Sequence, residues 1–242
     1  MEYIDAEHMD GKTLNALVKE MIPKAGEITV RNSHSMHNIG TGISDAGTLI
    51  VDGSTGFYVG GFLEGLKIDV LGNAGWYAGD NMMDGELIIR KNTGCNAGAY
   101  MYGGTLVVYG GAGSRPGYGM KGGTLLICGD AGRWAGQMTL GGRLIILGKV
   151  APGIGESMYK GVIYVRDPDA GSKLGSNCFI DGLNAEETGS LSELFAAYGI
   201  DADPGDLKAI RPLTSGRHSY VLFNPKLEPE KARKHLLRSV AV

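Results

Sequence analysis

Several things are scarce in this 242-residue sequence, and each shortage closes off a class of function. It has three cysteines, Cys95, Cys128 and Cys178, odd in number, far apart and without C-x-x-C spacing. That argues against a disulfide framework and against an iron–sulfur or zinc site in this chain, and it predicts reduced, buried thiols. Aromatic residues make up 7% and are not interleaved with basic ones. Charge is nearly balanced, at net -3 with a pI near 6.0, so there is no polycation for nucleic acid. No stretch approaches the 18 apolar residues of a membrane span. The opening MEYIDAEHMDGK is acidic and lacks the apolar core of a signal peptide. Together these features predict a cytoplasmic protein.

Glycine is plentiful, at 41 residues, about twice its usual share. It returns with a period of 19: Gly56, Gly75, Gly94, Gly113 and Gly132, with Ala151 and Ala170 continuing the beat. The phrase GNAGWYAGDNMMDGELIIR from Gly72 is echoed by GDAGRWAGQMTLGGRLIIL from Gly129. A period near 20 residues indicates stacked coils. Glycine suits tight corners and close backbone approach, so these five are structural.

Within each period a strand follows a glycine. The strands are GTLIV from Gly47, GLKIDV from Gly65, GELII from Gly85, GTLVV from Gly104, GTLLI from Gly123, GRLII from Gly142 and GVIYV from Gly161. Nineteen residues are too many for a two-residue hairpin and suit a coil returning in parallel. The expectation is an all-β fold, a single-stranded right-handed parallel β-helix of about seven turns. With strands about 4.8 Å apart the stack would rise roughly 30–35 Å. Residues 1–25 are read as an N-terminal capping segment, with a helix over 10–22 started by Asp10 and carrying a Leu14, Leu17, Val18, Met21 stripe. Residues 26–180 form the coil. Residues 181–242 form a C-terminal tail that packs on the coil or on a partner. It holds a helix from Asn184 to Tyr198, a helical turn over Asp206–Ile210, an edge strand from His218 and a basic helical end from Pro229.

Side chains alternate along a strand. One inward column is Leu49, Ile68, Leu87, Leu106, Leu125, Leu144 and Val162, and a second ends at Ile146 and Tyr164. The column between them should face outward: Ile50, Asp69, Ile88, Val107, Leu126, Ile145 and Ile163. Six of these seven are apolar, where a solvated face would carry Lys, Glu or Thr. An apolar outer stripe marks an interface, so Ile50, Ile88, Val107, Leu126, Ile145 and Ile163 are the candidate partner surface. Coverage by the chain's own C-terminal segment is the competing reading.

Catalytic signatures fare poorly. GKT at Gly11 lacks the earlier glycine of a phosphate loop, because Ala6 stands there. The glycine corners lead into further strands, not into the strand–turn–helix of a dinucleotide site. His34 and His37 have no cysteine or carboxylate cluster beside them to complete a metal site. Nothing resembles a nucleophile elbow. Arg115, Trp76 and Trp134 fall at or near corners, facing a partner or simply packing at the surface. No residue is assigned a catalytic, cofactor-binding or metal-binding role.

The recurring G-x-x-G-x-x-x-G units, spanning roughly Gly47 to Gly175, resemble the GXGXG β-helix family. The run LGSNC at Leu174, then a helix, then SGRHSYVLFNP at Ser215, is similar to the free-standing chains that correspond to the third domain of the glutamate synthase large subunit, such as the β-helix chain of N-methylglutamate synthase. The opening at Met1 with a capping helix fits a separate subunit and not a fused domain. This resemblance implies a noncatalytic scaffold in a hetero-oligomer. Its partners would be an amidotransferase-like subunit and an FMN-binding synthase subunit with, in glutamate synthase, an iron–sulfur cluster. No cofactor would reside in this chain. The alternative within the family is the β-helix chain of a formylmethanofuran dehydrogenase or formyltransferase/hydrolase complex. A polysaccharide-cleaving β-helix enzyme is a third reading, but it needs clustered carboxylates or basic groups that the sequence does not show.

Overall fold

A computed structural model of the chain describes residues 2–213. Nine parallel strands stack in chain order. They are β1 (Glu2–Asp5), β2 (Glu27–Arg31), β3 (Gly47–Val51), β4 (Leu66–Val70), β5 (Glu86–Ile89), β6 (Thr105–Val108), β7 (Thr124–Ile127), β8 (Leu140–Ile146) and β9 (Lys160–Val165). The seven glycine-headed strands are β3 to β9, and their register holds the period: Leu49 pairs with Ile68, Ile68 with Leu87, Leu87 with Leu106, Leu106 with Leu125 and Leu125 with Leu144. The expected parallel β-helix is the observed fold. A second, shorter ladder runs through Ala74, Thr93, Ala112, Ala131 and Val150 on another wall. Beside it, side chains repeat a bond from coil to coil: Asn73 Oδ1 accepts from the Asn92 amide at 3.1 Å, and Asn92 Oδ1 from the Gly111 amide at 2.8 Å.

The two inward columns form one continuous core, in which Leu49, Ile68, Leu87, Leu106 and Leu125 are fully buried. Each such side chain contributes about 1.5–3 kcal/mol of burial, yet a single coil has no core of its own, so its neighbours complete it. The ends therefore need closing. Helix α1 (Gly11–Ala25) lays Leu14, Val18 and Ile22 on the first coils. Asp10 caps it, accepting from the Thr13 amide at 2.7 Å. The helix runs three residues past the expected end at 22, because Pro23 gives up only its own N–H, and it stops at Gly26, whose left-handed φ of 71° sends its N–H back to the Ile22 carbonyl.

The other end departs from expectation twice. First, Ile163 pairs with Leu144, and Tyr164 with Ile145. The expected column placed Val162 opposite Leu144, one residue early. The 19-residue period is kept, so Ile163 points into the core and Tyr164 outward. Second, Asp206–Ile210 is not a helical turn. A 3₁₀ turn at Pro204–Asp206 leads into strand β11 (Lys208–Pro212), which pairs antiparallel with β9 and with β10 (Cys178–Asp181). The last coil would otherwise leave an open row of backbone donors and acceptors, and β11 fills it. Helix α2 (Ala185–Ala197) lies between β10 and β11 in sequence. The segments expected from His218 and from Pro229 lie outside the described residues.

Candidate interaction surface

The outward strand column was the leading candidate from sequence, and the structure closes most of it from within. Helix α2 starts with a complete capping box, in which Asn184 Oδ1 accepts from the Glu187 amide and Glu187 Oε2 from the Asn184 amide. The helix places Leu191, Leu194 and Phe195 over Val107, Leu126, Ile145 and Tyr164. Val107, Leu126 and Ile145 are 0% exposed and Ile88 is 3%. Ile163 belongs to the inner core instead. Ile50 alone of the six is half-buried. Coverage by the chain's own segment therefore holds for Val107, Leu126 and Ile145.

Polar contacts fasten this cover. Arg143 donates to Ser190 Oγ at 2.7 Å, and Tyr109 OH donates to the Tyr198 carbonyl at 2.7 Å. Tyr164 OH donates to Glu187 Oε1, and Arg211 Nη2 donates to both Glu187 carboxylate oxygens at 2.8 and 2.9 Å. Burial opposes the charge on Glu187, but the Asn184 amide, Arg211 and Tyr164 outweigh it and hold the carboxyl below its ordinary range. Burial, then the bonds to Glu187 and Glu86, push the Tyr164 and Tyr198 hydroxyls up, so both stay neutral donors.

Where α2 ends, a cleft of about 310 Å³ opens, lined by Lys67, Glu86, Ile88, Arg90, Tyr109 and Tyr198 among others. Its charged side chains are already paired, Arg90 with Asp69 outside the lining. Lys67 pairs with Glu86 at 2.8 Å, and Arg90 forks onto Asp69 at 2.8 and 2.6 Å while its guanidinium lies 5.1 Å over the Tyr109 ring. Among the described residues no group of three His, Cys, Asp or Glu side chains is placed to hold a metal ion. His34 turns to Glu7 at 2.9 Å, whereas His37 Nδ1 accepts from the Phe57 amide at 2.7 Å. Gly11 of GKT opens helix α1. Cys178 is buried, as expected, but Cys95 and Cys128 are only partly so. Burial pushes the Cys128 and Cys178 thiols up to about 11.

The exposed feature is the corner between the two walls. There Tyr58, Tyr77, Asn96, Arg115 and Trp134 recur every 19 residues, each with a left-handed φ of 57–61°. The residue before each keeps the same beat and is exposed or half-buried: Phe57, Trp76, Cys95, Ser114 and Arg133. The result is a stripe five coils long. Phe57 and Trp76 stack with centroids 5.5 Å apart, Tyr58 and Tyr77 at 5.0 Å. Trp76 is 51% exposed and Phe57 41%. At the other end Arg115 lies 4.5 Å over the Trp134 ring and Arg133 5.4 Å from it. Phe62, Tyr100 and Met138 extend the exposed apolar surface on a neighbouring column. Sequence reading singled out Trp76, Arg115 and Trp134 and missed Phe57, Tyr58 and Tyr77. Setting the corner residues in the same 19-residue columns as the strands would have found them.

No family model matches the chain, and a comparison with curated proteins finds no match either. Among the described residues no helix is long and apolar enough to cross a membrane.

Proposed function

We propose that this chain is a noncatalytic scaffold subunit of a glutamate-synthase-type complex, with N-methylglutamate synthase the first choice. It would hold an amidotransferase-like subunit and an FMN-binding synthase subunit in register, and the flavin and any iron–sulfur cluster would sit in those partners. In N-methylglutamate synthase the reaction replaces the amino group of glutamate with methylamine and releases ammonia. The observation that carries the scaffold reading is the corner stripe: exposed and half-buried aromatic side chains on its first two coils and cationic and aromatic ones on its last two lie along a stack whose strand face α2 covers at Val107, Leu126 and Ile145. A large exposed apolar patch on an otherwise well-packed chain marks an interaction site. The choice of complex rests on the sequence resemblance, to which the coil exit at Leu174 and the helix Ala185–Ala197 add support.

The test is native purification of the tagged chain from its host, with mass spectrometry of whatever accompanies it. An amidotransferase-like chain and a flavin-containing synthase in fixed ratio are expected. An amidohydrolase and a formyltransferase in their place would move the chain to the formylmethanofuran branch. A chain that purifies alone and cleaves a polysaccharide would end the scaffold reading.

A further inference from the structure

We infer that the corner stripe receives an acidic, apolar-anchored segment of another polypeptide. This deepens the scaffold reading and rests on it. The stripe has two chemically different ends. Phe57, Tyr58, Trp76 and Tyr77 form the aromatic end, and Arg115, Arg133 and Trp134 the cationic end. Among the described residues no carboxylate lies within 4 Å of either guanidinium. Arg115 commits only its Nε, to Gln137 Oε1 at 2.9 Å. A ring face attracts a cation without cancelling its charge, so this end remains positive. Paired guanidiniums without carboxylates are complementary to carboxylates supplied from outside.

The coil fixes a left-handed backbone at this corner, and the sequence decides which side chain is presented there. Tyr58, Tyr77 and Trp134 sit in the left-handed region, which Gly or Asn occupies at least cost. Aromatic side chains stand at three of these five positions although the backbone itself favours Gly or Asn there. Spacing defines the guest. Coils rise about 4.8 Å each, so Trp76 and Arg115, two coils apart, lie roughly 10 Å apart along the stack. An extended segment advances about 3.3 Å per residue, so its apolar and acidic anchors should be about three residues apart.

Other occupants fit less well. The chain's own residues 214–242 carry Arg217, Lys226, Lys231, Arg233, Lys234 and Arg238 against Glu228 and Glu230, so their charge does not complement the cationic end. Nucleic-acid bases or sugars need open ring faces, whereas these rings stack on one another.

The experiment uses the full chain expressed in its host with Ser114, on the fourth of the stripe's five coils and next to Arg115, replaced by photo-crosslinking p-benzoylphenylalanine. Irradiation should yield an adduct to a different polypeptide, and the cross-linked peptide should carry Asp or Glu about three residues from an apolar residue. An adduct to residues 214–242, to a second copy, to nucleic acid or to a peptide without carboxylates would overturn the inference, as would no adduct. In parallel, Arg115→Glu with Arg133→Glu should weaken association with the copurified partner at least tenfold at an unchanged melting temperature. Lysine in place of the partner's carboxylates should restore it, and unchanged association would overturn the inference. The identity of the copurified chains separates the two proposals. An acidic adduct to a chain of another kind sustains the stripe and sinks the glutamate-synthase reading. The expected partners without an adduct do the reverse.

Discussion

At the residue scale, glycine answers two different demands in these coils. Gly60 has a left-handed φ of 62° at a corner, where any side chain is strained. Gly113 has ordinary backbone angles, but a Cβ there would lie 2.8 Å from the Cys95 amide nitrogen and the Gly94 carbonyl carbon of the coil before it. Backbone cannot yield as a flexible side chain does. Gly113→Ala should therefore destabilise the chain by about 1–3 kcal/mol. Gly189, inside α2, meets nothing within 4 Å, so Gly189→Ala should stabilise by about 0.5–1 kcal/mol. Urea titrations of the two variants would show shifts of opposite sign, and equal shifts would refute the distinction. The beat of Gly56, Gly75, Gly94, Gly113 and Gly132 was legible in sequence because a fixed period shows in one dimension. Which of the two demands each glycine meets was not, because backbone approach between coils is a distance across the stack.

At the element scale, α2 is a cover attached to a finished coil. Its start was readable, since Asn184 three residues before Glu187 is a capping-box signal. Its landing place was not. Leu191, Leu194 and Phe195 give an apolar side without an address, and Val107, Leu126 and Ile145 give an apolar stripe that fits either a helix or another protein. Phe195 is 2% exposed in that seam. Phe195→Ala should cost about 3–5 kcal/mol of local stability and release α2 while the coil stays folded. Hydrogen exchange checks this. Amides of 185–197 should lose protection, and those of β4 to β7 should keep it. Uniform loss would mean that helix and coil unfold as one unit. Strand register illustrates the same limit. Val162 and Ile163 are both β-branched and apolar, so local pattern did not distinguish the inward one; only the ladder with Leu144 did.

At the scale of the whole molecule, each coil bonds to the one before and the one after, so the stack is close to one-dimensional. Gly53 and Gly72 occupy equivalent places, with the Gly72 amide bonded to the Gly53 carbonyl. Removing residues 53–71 should therefore join Asp52 to Gly72 and let β3 pair with β5. The protein should stay folded and shorten by about 4.8 Å, measurable by small-angle scattering. Removing residues 53–62 should not give a folded chain, because ten residues break the period and turn core side chains outward. A folded product from the shorter deletion would show that coils are not the repeating unit.

Sequence alone determined the coil, its period, its inward columns from Leu49 to Leu144 and both helix starts, because these depend on neighbours along the chain and on repetition. Tertiary structure decided which apolar surface remained open. Whether Val107, Leu126 and Ile145 meet water depends on where α2, well beyond Ile145 in the chain, comes to lie. Once that wall is closed, exposure shifts to a corner whose side chains are thrown outward by left-handed backbone at Tyr58, Tyr77 and Trp134.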